Sequence, residues 1–205
     1  MAAEDRPHAD PAPERVTQAL RGWLQSDGSL SRRLARVFGR FEVQVLSQGA
    51  GPAQADELCV LRRSGGLALS AARCHVREVM LWGNGQPLVY ARSVLPAVQS
   101  RLAWRALRGL GSRPLADLLF GLRAASCARL GSSRMVPLRA RRLGARLGWA
   151  REPLWCRRSV FMRRGMPLLV TEWFAPSVCQ CTPGAPTGRG TFRGFRGEPM
   201  SRSLR

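Results

Sequence analysis

From Val16 onward the apolar residues follow a helical period. Val16, Ala19, Leu20, Trp23 and Leu24 recur at i, i+3, i+4, i+7 and i+8, which predicts a helix with one greasy face beginning near Glu14. Ser26-Asp27-Gly28 ends it, and Ser29 is suited to cap a second short helix whose Leu30, Leu34, Val37 and Phe38 share a face. The period then drops to two. Phe41, Val43 and Val45 alternate with polar residues, predicting a strand that Ser47-Gln48-Gly49-Ala50-Gly51-Pro52 breaks, and residues 58–61 predict a further short strand. Residues 75–96, HVREVMLWGNGQPLVYARSVLP, read as a β-hairpin turning at Asn84-Gly85, a pair suited to the positive φ that a type I′ turn requires. Helical spacing returns over 98–110, and Pro114 suits the first turn of another helix with Leu115, Leu118 and Leu119 facing inward. An Arg-, Gly- and Ser-rich connection over 121–153, with a strand expected at 135–138, leads to a second hairpin, 155–162 and 167–174, around Arg164-Gly165.

Helices first, then strands interrupted by helices, predict an α+β domain around a mostly antiparallel sheet flanked by helices. Its bounds are residues 14–177, between a flexible leader at 1–13 and a disordered Arg/Gly/Pro tail at 178–205. The formal charge of +20 is carried entirely by arginine, since the sequence contains no lysine. Such a field draws nucleic acid, anionic membrane or small polyanions without choosing among them. A solvated basic face is the plainer account of the 12 Arg set against Glu152 between residues 121 and 164. Six dispersed cysteines with no secretory signal before them imply a reduced, cytoplasmic setting. No run of 18 apolar residues occurs, so no stable membrane insertion is expected.

The chemistry concentrates in the two hairpins. With Asn84-Gly85 as a two-residue loop, Leu81 faces Leu88, Val79 faces Tyr90, and Arg77 faces Arg92 on one apolar face. Like charges so placed repel by about 3 kcal/mol at roughly 5 Å and an effective dielectric of about 20. A carboxylate between the two forks reverses the sign, while a wet face would make the pair innocuous. In the second hairpin Glu172 shares a stripe with Leu168, Val170 and Phe174, and Arg157 falls opposite it. That arrangement is either a plain cross-strand ion pair or a carboxylate in a cleft, able to meet a substrate hydroxyl. His8 and His75 assemble no triad or metal cluster, and Cys179-Gln180-Cys181 is a lone C-x-C.

Four blocks in order, SLSRRL (29–34), VREVMLWGNGQPLVYARSVLP (76–96), SRPLADLLF (112–120) and LWCRRSVFMRRGMPLLVTEWFAP (154–176), resemble the chorismate pyruvate-lyase family. The resemblance implies a chorismate lyase-like α+β fold with helical and loop flaps over a buried site. It implies an enzyme that converts chorismate to 4-hydroxybenzoate and pyruvate for ubiquinone biosynthesis, with no cofactor and no metal. By motif, Arg77 resembles the arginine at the ring carboxylate, Glu172 the glutamate at the ring hydroxyl, and Leu115 and Leu30 the leucine and flap residue against the ligand. Arg92 resembles a second arginine suited to the enolpyruvyl carboxylate, so Glu172 and Arg92 are the catalytic candidates. A cytoplasmic monomer that binds no nucleic acid is expected. The rival readings are a small-molecule-sensing domain of related fold and a basic nucleic-acid binder.

Overall fold

The computed structural model describes residues 17–65, 74–120 and 154–181, together with the backbone of 126–135. The leader at 1–13, the tail beyond 181 and most of the Arg-rich connection lie outside the described residues. Two capped helices come first among the described residues. Thr17 Oγ1 accepts from Leu20 N at the start of α1 (Gln18–Gln25), and Ser29 Oγ accepts from Arg32 N at the start of α2 (Leu30–Phe38). Their buried residues are those on the shared faces expected from spacing, among them Leu20, Trp23, Leu24, Leu30, Leu34, Val37 and Phe38.

Six strands follow in one antiparallel sheet of order β1-β2-β3-β6-β5-β4. They are β1 (Phe41–Gly51), β2 (Cys74–Gly83), β3 (Gln86–Pro96), β4 (Ser126–Met135), β5 (Leu154–Arg163) and β6 (Met166–Phe174). Both hairpin turns form where expected, with Asn84 and Gly85 at φ of 49° and 74°, and Arg164 and Gly165 at 52° and 72°. Residue parity then sorts two sheet faces. On the front, Leu95, Phe161, Leu168 and Val170 pack with Trp104, Leu107, Leu110 and Leu119 from the short helices α4 (Arg105–Arg108) and α5 (Leu115–Leu119). On the back, Val76, Val94, Val160 and Leu169 pack with Leu58 and Leu61 of α3 (Ala55–Gly65). Helices α1 and α2 close one end over Val79, Leu81, Val89, Ala91 and Phe174.

Several expectations are corrected. Strand β1 does not break at Ser47 but continues to Gly51, because Ser47 through Gly51 pair with Glu78 through Cys74. Residues 58–61 belong to helix α3, which starts with Glu57 reaching back to accept from Gln54 N at 2.9 Å. The 98–110 helix splits into a 3₁₀ turn at Gln99–Arg101 and α4, and Pro114 stands just before α5. Strand β4 ends at Met135, at the start of the span expected to be strand. The domain does not stop at 177: α6 (Pro176–Cys179) packs on α1, Cys179 O accepts from Thr17 Oγ1, and Cys181 O accepts from Trp23 Nε1 at 2.6 Å.

Candidate active site

A cavity of about 260 Å³ lies on the front face between α2 and α5. An engineered cavity of about 150 Å³ admits benzene, so this one has room for a substituted six-membered ring. Its floor is two rows of side chains running across the central strands. One row is Val79, Ala91, Glu172 and Arg157, and the next is Arg77, Ser93, Val170 and Ser159, each residue facing the next across a strand pair. Leu30 and Ser31 at the start of α2, and Leu115, Ala116 and Leu119 of α5, complete the walls.

The cavity thus brings together Arg77, Glu172, Leu30 and Leu115. It does not include Arg92. The reason is a β-bulge: Leu81 pairs with Val89 but Trp82 pairs with Pro87, so Leu88 is an extra residue and the register shifts by one. Arg77 then faces Ser93, Arg92 faces Glu78, and a one-residue slip carries Arg92 to the other side of the sheet. The expected Arg77–Arg92 pair, and with it a cavity role for Arg92, is therefore overturned.

On the back face Arg92 is part of a closed network. Its Nε donates to Glu57 Oε1 and its Nη1 to Glu78 Oε1, both at 2.8 Å, while Nη2 reaches Pro52 O at 2.8 Å and Glu57 Oε2 at 3.2 Å. Tyr90 and Ser47 hydroxyls donate to Glu78 at 2.7 Å each. Burial lowers the Arg92 proton affinity, but hydrogen bonds and attraction from Glu57 and Glu78 outweigh it and hold the guanidinium above its ordinary value.

Arg77 is bound differently. Its Nη2 donates to the carbonyls of Gly111 at 2.8 Å and Arg113 at 3.3 Å, just before α5, and its buried Nε has no partner. Burial without a carboxylate partner among the described residues pushes its pKa below the ordinary arginine value, by desolvation. Glu172 pairs through Oε2 with Arg157 Nε, as the two-residue loop requires. Arg157 Nη1 in turn donates to Trp23 O at 3.2 Å and to Ser26 O and Oγ at 3.1 Å each, capping the C-terminal end of α1. Arg157 lines the cavity too, and sequence reading treated it only as the partner of Glu172. Among the described residues no three His, Cys, Asp or Glu converge to hold a metal ion, and no helix is long and apolar enough to cross a membrane.

Fold and cavity define a class first: an α+β domain whose antiparallel sheet carries a cavity with buried arginine and half-buried glutamate on its floor. Within that class the chain belongs to the chorismate lyase family, whose match spans residues 12–181. A protein from Azoarcus sp. strain BH72 named "Probable chorismate pyruvate-lyase" is 40% identical over 172 residues, 81% of this chain and 88% of its own. One of the same name from Aromatoleum aromaticum is 39% identical, covering 85% and 97%. Among solved structures, PhnF from Mycobacterium smegmatis shares the fold at a TM-score of 0.54 and 15% identity, over 75% of this chain and 66% of PhnF.

Proposed function

We propose that this protein eliminates the pyruvyl group of chorismate to give 4-hydroxybenzoate and pyruvate, with no metal or organic cofactor, as a cytoplasmic step of ubiquinone biosynthesis. The observation that carries the reading is the pairing of Arg77 and Glu172 in one cavity. They lie two strands and one same-face step apart, about 12 Å between backbone positions from standard sheet spacings, so long side chains can reach the two ends of a ring between them.

Arg77 anchors the ring carboxylate, with its unpartnered Nε as an available donor. Glu172 accepts from the ring hydroxyl with Oε1, the oxygen that Arg157 does not engage. Leu30 and Leu115 close over the ring. The hydrogen on the hydroxyl-bearing carbon leaves as a proton, and its electron pair becomes a ring π bond. The neighbouring ether C–O bond breaks with its pair on the enolpyruvate oxygen, which takes up a proton and tautomerises to pyruvate. Aromatisation drives the reaction, so the protein's task is to orient the ring and stabilise the departing charge.

The test is incubation of the purified protein with chorismate. Release of 4-hydroxybenzoate and pyruvate in equal amounts supports the reading, whereas saturable binding without release would replace it by a sensing role.

A further inference from the structure

The loss of Arg92 from the cavity leaves the second carboxylate of a chorismate-like dianion without a partner. The nitrogens of Arg157, a residue only 3% exposed, are used unequally. Nε is held by Glu172, and Nη1 by Trp23 O, Ser26 O and Ser26 Oγ. Nη2 makes no hydrogen bond among the described residues, and the side chain lines the cavity. Anchors on both of the other nitrogens fix the planar fork in place, so Nη2 is preorganised to donate. Arg92 is the internal control, since all three of its nitrogens already have acceptors.

The geometry points to Arg157 Nη2 as the second anion contact of the cavity: it holds the carboxylate of a side arm carried on the ring carbon next to the hydroxyl-bearing one. This rests on the lyase reading, because in chorismate the enolpyruvyl ether occupies that neighbouring carbon. A substrate whose hydroxyl meets Glu172, turned towards β5, has its side arm beside the residue directly across the strand pair, Arg157. In the elimination Arg157 remains a guanidinium and transfers no proton. It binds the leaving group while the ether electron pair moves onto oxygen.

The test compares two probes at equilibrium, so that it does not depend on turnover: 4-hydroxybenzoate, and 3-(carboxymethoxy)-4-hydroxybenzoate, which adds a carboxylate on an ether arm beside the hydroxyl. By titration calorimetry at fixed salt, the wild type is expected to prefer the dicarboxylate by about tenfold, the scale of one charge-assisted hydrogen bond. Arg157→Lys keeps a cation beside Glu172 but loses the fork. It should cut the preference to about twofold, read as the ratio of the two affinities so that a loss shared through Glu172 cancels. Should that variant not fold, the double variant Arg157→Gln with Glu172→Gln leaves no orphan charge and is read against Glu172→Gln alone, with the same loss of preference expected. No preference in the wild type would overturn the inference. So would a preference that survives the substitution, or an equal loss for both probes, which would make Arg157 a support for Glu172 only. An intact preference in a protein that does not turn over chorismate would remove the lyase reading and support the contact.

Discussion

The two faces of one sheet each pair arginine with glutamate, and they use them in opposite ways. On the back, every nitrogen of Arg92 has an acceptor, both of its carboxylate partners are almost fully buried, and α3 packs over that face. On the front, Arg77 Nε is buried without a partner, and the cavity lies over Arg77, Arg157 and Glu172. Buried polar groups are normally satisfied, so a saturated cluster reads as structure and an unsaturated one beside a cavity reads as a place for a ligand. Charge in an apolar strand therefore does not mark a site by itself; incomplete pairing beside a cavity does.

The comparison breaks most visibly at Arg92. Arg92→Met leaves Glu57 and Glu78 buried without their cation, and a loss of roughly 3–5 kcal/mol in urea unfolding is expected, with 4-hydroxybenzoate affinity of the folded protein nearly unchanged. Lost affinity at unchanged stability would place Arg92 in the site after all. Arg77→Ala should do the reverse. It strands no carboxylate, so stability falls by less than in Arg92→Met, while kcat/KM for release of 4-hydroxybenzoate drops by about 100-fold, about 2.7 kcal/mol of lost anchoring. Near-wild-type turnover would remove Arg77 from the anchoring role.

Why the two arginines sit on opposite faces was only partly written in the sequence. Caps at Thr17 and Ser29, and turns at Asn84-Gly85 and Arg164-Gly165, depend on nearest neighbours and were legible. So was the Arg157–Glu172 pairing, because nothing interrupts the strands between it and its turn. The Arg77–Arg92 register failed because a single extra residue lies between the turn and the pair. One signal was available: Pro87 interrupts the run after the turn, and proline inside a sheet is confined to edges, first positions and bulges. Residues 58–61 were misread as strand because so short an apolar run has no period of its own; Asp56 and Glu57 before it are first-turn acids of a helix. The cavity was not legible in the residue pattern, only in the family resemblance, since it depends on how α2 and α5 meet the sheet from distant parts of the chain.

The bulge can be tested where it packs. A Cβ at Gly83 would lie 2.6 Å from Leu88 Cδ1 and 2.7 Å from Phe38 Cβ, so the extra residue occupies the space a side chain would need. Gly83→Ala should cost about 1–3 kcal/mol by overpacking, measured as a lower urea midpoint with unchanged slope. A neutral result would mean that Leu88 yields easily and that the bulge does not pin Arg92 to the back face.

His75 sharpens the comparison at its lower end. It shares the parity of Arg77, and its buried Nε2 has no partner, yet it is absent from the cavity lining, so no ligand is expected to complete it. Burial first, and the positive charge of Arg108 second, push its pKa below the ordinary value of 6.5. The unfolded chain then takes up the proton before the folded one does. Stability from this group is fully present above the unfolded pKa and declines as pH falls below about 6.5, by at most about 1.4 kcal/mol per pH unit for one proton. His75→Gln removes the titration, so its melting temperature should fall less between pH 7 and pH 5.5 than that of the wild type, with 4-hydroxybenzoate affinity unchanged. Equal falls in the two proteins would assign the acid sensitivity elsewhere, and a loss of affinity would extend the site along the front face beyond Arg77.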